Sequence, residues 1–473
     1  MVLERISELR DRVLNKPVGY TLVWLGLPMM MVQLVNISYN LADSYWLSKY
    51  HPYALAVPRQ IWPTFMFINA IAQGLMSANL ALISQYVGAK LYDEAKRIFT
   101  YFFSATLFLN TTAVTIFYLT RKWIFLWLIK VPPEIYEDVL VYSGIISLDI
   151  LFAAFTFTYT TLFQSIGDTR TPSRIAVFSS LMNVILDPFM IHGLSIGDIE
   201  ILKPMGVAGA AIATVISRFL GLALFITVVF KKYSVFKPRI TFRFDINWIK
   251  KCIDIGLPVS IMFATNSLAF MFQNRLVNEF GSSAAAAFSI GFILSDLADA
   301  VLWGFTFAVS TMIGQALGAM DFNRAKEVAR KSLIYIASGS AAGSTLIYMF
   351  RDKLILFFNP EELTFIYANK FIELFSFSIP FFAIFFIGMS VGRGSGHTRF
   401  PTLLGIVRLW ILRIGLGYLL AFYLDLKLNG VWISMSLSNF VGGALMIPWI
   451  INAKWATPVI SRGPHAKVST RFS

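Results

Sequence analysis

Apolar runs of about 20 residues or more, the length of helix that crosses a bilayer, recur along nearly the whole of this chain. Hydrocarbon offers no water to an exposed N–H or C=O, so only helices and closed barrels span it. A membrane barrel would show alternating segments of about 10 residues, and these runs are longer and unbroken. Composition agrees, with 57% of the 473 residues hydrophobic and 14% charged. A soluble domain carries about 25% charge. The expectation is an all-α polytopic membrane protein.

Twelve spans are expected, near 18–47, 53–86, 98–120, 136–166, 172–192 and 205–230, then 249–279, 285–316, 331–350, 363–392, 400–424 and 428–453. The first residues, "MVLERISELRDRVLNK", are charged and amphipathic and lack the apolar core of a cleavable signal. The net charge of +14 sits in the breaks between apolar runs and forms no single patch, so no nucleic-acid partner is expected. Lys and Arg favour the side with both termini roughly threefold, which predicts cytoplasmic termini and, with them, a multi-pass protein of the plasma membrane. The lone Cys252 excludes an internal disulfide.

Three sequence matches divide the chain into two copies. "GLP" occurs at 26–28 and 256–258, an offset of 256 − 26 = 230. "QYVGAKLYDEAK" at 85–96 is echoed by "QALGAMDFNRAK" at 315–326, again at 230. "GDTRTP" at 167–172 is echoed by "GHTRFP" at 396–401, at 229. Six spans is an even number, so both copies enter the membrane from one side and are related by a pseudo-twofold along its normal. The expected organisation is a cytoplasmic surface helix (1–17), an N-lobe (18–230), a cytoplasmic linker (231–248), a C-lobe (249–453) and a cytoplasmic tail (454–473). Parallel repeats of this kind favour a transporter that holds its cargo between lobes and rocks.

The "GLP" openings, the "Q-x-x-G-A…A-K" loops, "GDTRTP" before span 5 and "NVILDPFMI" within it resemble the multidrug and toxic compound extrusion family over nearly the whole chain. The resemblance implies two six-helix lobes and secondary efflux of organic, often cationic amphipathic compounds in exchange for inward H⁺ or Na⁺. It implies no enzyme activity and no cofactor beyond the coupling ion, and a monomer in the lipid bilayer. One branch of the family carries a coupling Glu eight residues after the C-lobe's first Pro. Here that position, counted from Pro258, is Asn266. The branch similar to DNA-damage-inducible protein F and archaeal members uses an N-lobe Asp pair in spans 1 and 5, and Asp43 and Asp187 fit those places.

The residues carry their own chemistry. An Asp at the centre of a span costs about 2.5–3.5 kcal/mol on an insertion scale, so Asp43 needs partners or a role. The plainer alternative is a place near the outer interface beside Ser44 and Tyr45. Asn183 and Asp187 are four apart and share a helix face. Pro188 lacks an N–H, so the Val184 carbonyl loses its helical donor. The result is an oxygen-rich pocket suited to a proton or a hard cation. Thr214 of span 6 is a further candidate ligand, so Na⁺ would sit among Asp43, Asn183, Asp187 and Thr214. Tyr142 and Thr160 of span 4, Met29 and Gln33 of span 1, and Asp296 and Asp299 of span 8 are candidate cavity residues. Asp296 and Asp299 either attract a cation or pair with Arg275, Arg408 or Arg413. Asp149 either joins the N-lobe network or pairs with Arg218.

The rival reading with a similar fold is a lipid-linked oligosaccharide flippase, which asks for a more basic central cavity. A membrane enzyme finds no support in the four scattered His residues.

Overall fold

The computed structural model describes residues 2–460 except 52, 53, 55, 197 and 198, without the side chains of 40, 41, 63, 195, 196, 199 and 296–299. A short helix, α1 (Val2–Asn15), precedes the spans. Spans 1 to 6 are Val18–Tyr50, Ala56–Gly88, Tyr92–Trp123, Pro133–Ile166, Arg170–His192 and Gly206–Lys232. Spans 7 to 9 are Ile246–Asn278, Ser282–Gly318 and Phe322–Met349. Span 10 is a bent pair, Glu362–Ser376 and Ile379–Ser395, with 53° between its halves. Span 11 starts as Arg399–Val407 and continues through a π-helical stretch, Arg408–Gly415; span 12 is Lys427–Asn452.

Among the described residues, ten helices are long and apolar enough to cross a membrane, and the bent pair makes eleven. Span 9 is the remaining long helix, its apolar character thinned by Ser338, Gly339, Ser340, Gly343 and Ser344. Two short strands, Leu194–Ile196 and Ile199–Leu202, pair antiparallel between spans 5 and 6, a small addition to the expected all-helical fold.

The polar loops of the repeat build helix starts. Asp168 of "GDTRTP" accepts from the Thr171 amide at 3.1 Å and the Thr171 hydroxyl at 2.7 Å, which satisfies donors at the start of span 5. The Tyr233 hydroxyl also donates to Asp168, at 2.7 Å, and ties the end of span 6 to the same loop. Burial and the Asp168 charge hold that hydroxyl above the ordinary tyrosine range, so it stays a donor. Asp245 and Asp321 cap spans 7 and 9 by accepting from the amides of Asn247 and Arg324, each at 2.8 Å.

Packing does not follow the chain's midpoint strictly. One buried cluster lies wholly in the first half and another wholly in the second. A third joins Val18, Leu22 and Leu25 of span 1 to residues of spans 7 to 12. Span 1 therefore begins in the core of the second half, while its length also packs on span 5 of the first.

The two halves meet at the end that carries α1 and the loops after spans 2, 4, 8 and 10, called here the basic face. Gln85 donates to the carbonyls of Gly394 at 3.2 Å and Ser395 at 3.1 Å. Gln315 donates to the Ser165 carbonyl at 2.8 Å. Ser165 and Gly394 are equivalent in the repeat, 394 − 165 = 229, so the two contacts are related by the pseudo-twofold. A Cβ on Gly88 would collide with the Gln315 carbonyl, and one on Gly318 with the Gln85 carbonyl. The repeated "Q-x-x-G" thus supplies both the latch and the bare backbone that lets the helices touch. The Val459 amide donates to Gln85 Oε1 at 2.8 Å from the chain's last described segment.

The first helix lies across this seam. Ile6 packs into a cluster drawn mostly from the first half and Val13 into one drawn mostly from the second. Arg10 donates to the Gly88 carbonyl at 2.8 Å, and Arg324 reaches back to the carbonyls of Val13 and Lys16.

Candidate functional site

Span 5 presents Asn183 and Asp187 one helical turn apart, both buried. Asn183 Nδ2 donates to Asp187 Oδ1 at 3.1 Å and to the Thr214 hydroxyl of span 6 at 3.5 Å. Asp43 of span 1 is half-buried and close enough for its charge to act on Asp187. Tyr39, one turn before Asp43, reaches Thr214 with its hydroxyl. Tyr142 of span 4 is buried within Coulombic range of Asp43, Asp149 and Asp187.

Three acceptor oxygens of this cluster, Asp43 Oδ1, Asp187 Oδ2 and Asn183 Oδ1, are buried and have no hydrogen-bond partner among the described residues. An unpaired buried acceptor costs about 1–3 kcal/mol. A proton or a hard monovalent cation would satisfy them. A transition metal would ask for nitrogen or sulfur ligands, and the described residues hold no group of three His, Cys, Asp or Glu side chains that could hold a metal ion.

Asp149 is engaged separately. Arg218 donates to it through Nε at 2.8 Å and Nη2 at 3.4 Å, a two-pronged pair between spans 4 and 6. The same acid type one span earlier thus has a fixed counter-charge, which Asp187 lacks among the described residues.

Other sequence candidates fall elsewhere. Thr160 is 18 residues beyond Tyr142 on span 4, roughly 27 Å along a helix, and lies near the basic face outside the cluster. Met29 is buried near that face, where its sulfur accepts from Gln164 at 3.7 Å, and Gln33 follows one turn later, half-buried. Asp296 and Asp299 fall on span 8, and their side chains lie outside the described residues. Tyr39 was not among the sequence candidates; its spacing of four from Asp43 is the signal that points to it.

The second half encloses a cavity of about 560 Å³. Its walls come from spans 7, 8, 10, 11 and 12, with Trp62 and Met66 of span 2 at one side. It extends from Arg393, near the basic face, to Met271 and Asn274 toward the opposite end of span 7. Asn266, which stands where one branch would place a coupling acid, lines it. Arg408 and Arg413, on the π-helical stretch of span 11, donate to Asn439 Oδ1 at 2.7 and 2.8 Å. Asn439 in turn donates to Ser378, at the break in span 10, at 3.1 Å. A widened helical turn and a broken helix thus meet at one amide, the kind of irregularity that collects at functional sites.

A family model described as MatE matches residues 28–189 and 258–419. Both ends of the two matches are offset by the same amount, 258 − 28 = 230 and 419 − 189 = 230. The "Probable multidrug resistance protein YoeA" of Bacillus subtilis (strain 168) is 26% identical over 415 residues, 86% of this chain and 88% of its own. The "FAD transporter" of Shewanella oneidensis is 26% identical over 385 residues, 78% of this chain and 79% of its own. A structure described as the outward-facing conformation of a multidrug resistance MATE family transporter of the MOP superfamily superposes with a TM-score of 0.84 at 22% identity, covering 93% of this chain and 96% of that one, a likeness of fold.

Proposed function

The chain belongs to the MatE family of multi-pass membrane transporters, and we propose that it is a secondary antiporter exporting amphipathic organic compounds, cations among them, in exchange for H⁺ or Na⁺. The coupling ion is taken up at Asp43, Asp187, Asn183 and Thr214. The observation that carries this reading is the set of three unpaired acceptor oxygens on spans 1 and 5. Buried charge in a membrane is kept only where it is paired or used. Asp149 is paired; among the described residues Asp43 and Asp187 each keep an oxygen without a partner and are the acids left to be used.

Exchange requires that ion and cargo favour opposite conformations or compete for one. Span 1 supplies the mechanical link. It carries Asp43 along one stretch and roots Val18, Leu22 and Leu25 in the second half. Filling the acid site cancels one negative charge of the Asp43–Asp187 pair for each monovalent ion bound, changes how span 1 packs on span 5, and transmits that change to the seam between the halves. The excess of Lys and Arg supports a cytoplasmic basic face with both termini on that side; on this reading the protein works as a monomer in the plasma membrane. In that orientation the latched seam closes the inner side, and the cavity opens outward.

Transport into inverted vesicles under an imposed pH or Na⁺ gradient tests the reading and names the ion. Asp43→Asn and Asp187→Asn are expected to leave the protein folded and abolish gradient-driven uptake. Full uptake by either variant would sink the proposal.

The lipid-linked oligosaccharide flippase is the second reading, and the three buried arginines of the cavity are what favour it. A pyrophosphate would ask for them in a cleft between the halves. The cavity that they line is built almost wholly from the second half.

A further inference from the structure

We infer that the cavity of the second half is a binding site for an organic oxyanion, a flat aromatic body bearing a carboxylate, sulfonate or phosphate, with Arg393 as its counter-charge.

Arg393 is 3% exposed and lines the cavity near the basic face. Its guanidinium rests over the rings of Trp303 and Phe307, 5.3 Å from each centroid. Its polar contact among the described residues is Ser390 Oγ, at 3.4 Å from Nη2, and its Nε has no acceptor there. A guanidinium carries five donors in its plane and no acceptor. Aromatic faces stabilise its charge, but they do not accept from those in-plane donors. The group is therefore held by the rings and left with donors to fill, the geometry that takes a planar oxyanion by two parallel hydrogen bonds.

The repeat shows that this charge is specific to one half. Arg393 stands where the first half has Gln164, 393 − 164 = 229, and Gln164 makes a neutral contact to Met29. Conversely, Asp187 stands where the second half has Leu416, 416 − 187 = 229. At these two positions the copies have diverged to opposite signs. The acid in the first suits a cation, and the guanidinium in the second suits an anion.

The rest of the cavity fits the same ligand. About 560 Å³ is within the range of small-molecule sites. Phe263, Phe382, Phe386 and Met389 give it aromatic and pliable walls, which accept flat rings without demanding one shape. The inference rests on the transporter reading only for the movement of the bound compound. Binding itself needs no gradient.

The test is equilibrium binding by fluorescence anisotropy to the full chain in lipid nanodiscs, with fluorescein as an aromatic anion and ethidium as a flat aromatic cation. Arg393→Gln, which installs the residue type of the equivalent position, is expected to weaken fluorescein about tenfold or more, the loss of about one charge-assisted pair. Ethidium affinity should stay within about twofold. Arg393→Lys keeps the charge but loses the fork, so it should fall between wild type and Gln. On the unaltered protein, naphthalenesulfonate should displace fluorescein and naphthylmethylammonium should not, which tests the site even if the Gln variant fails to fold. Equal loss of both dyes, unchanged fluorescein binding, or displacement by the cation would overturn the inference. Because these measurements use no gradient, they fail independently of the coupled-uptake assay that tests the antiporter.

Discussion

Asp149 and Asp187 are both buried, at 2% and 0% exposure, and differ in what faces them. Arg218 holds Asp149, whereas Asp187 has an amide on one oxygen and, among the described residues, no donor on the other. Removing one partner of a buried pair strands the other charge. Asp149→Ala should therefore destabilise the protein by about 3 kcal/mol, the low end for such pairs because Arg218 keeps 30% exposure. A lower unfolding temperature in detergent would show it, and Asp149→Ala with Arg218→Met should recover much of the loss. An unchanged unfolding temperature for the single variant would mean that the pair is ornamental. Asp187→Asn should show the reverse pattern, with stability kept and coupling lost. The Asn183–Asp187 contact was readable from a spacing of four. The approach of Asp43 to Asp187 was not, because 144 residues separate them, 187 − 43. The choice between pairing and use for Asp149 likewise stayed open until its neighbour on span 6 was placed.

At the scale of elements, the repeated "Q-x-x-G" turns out to be a two-sided latch. Gln85 and Gln315 reach across to equivalent carbonyls, and Gly88 and Gly318 let the backbones approach. Each such hydrogen bond contributes about 1 kcal/mol. Gln85→Ala or Gln315→Ala should thus raise basic-side opening about fivefold, and the pair of substitutions more. The readout is the labelling rate of Ser84→Cys, a fully buried position beside the seam, by an impermeant maleimide in a Cys252→Ser background. If the double variant labels no faster, the glutamines do not hold the seam. The motif was visible in the sequence, yet its purpose was not, since a repeat specifies equivalent positions and says nothing of which surfaces meet. The first helix, whose charged and amphipathic residues carried no sign of what it would touch, buries Ile6 and Val13 in clusters on either side of the seam.

For the whole molecule, a latched basic face and a cavity reaching toward the other are what the proposed antiporter would show at one end of an alternating-access cycle. Spin labels at Trp62→Cys and Asn274→Cys bracket the cavity between spans 2 and 7. Their separation should change by roughly 5 Å when the coupling ion is added to the otherwise intact protein. In Asp187→Asn the distance should stay fixed at either ion concentration. A wild-type distance indifferent to the ion would break the link between the acid site and the halves. By itself, the sequence determined residence in lipid, the helical class, the duplication, and an oxygen-rich face on span 5. Each of these follows from local spacing or from comparing the chain with itself. Only the tertiary structure decided that span 1 is rooted in the second half, that Asp149 is spoken for, and that Arg393 has no carboxylate beside it among the described residues. The physical reason is the solvent. A helix in lipid is apolar on nearly every side, so no polar stripe records which neighbour it will pack against. Partnerships across hundreds of residues are fixed by helix packing that hydropathy cannot see.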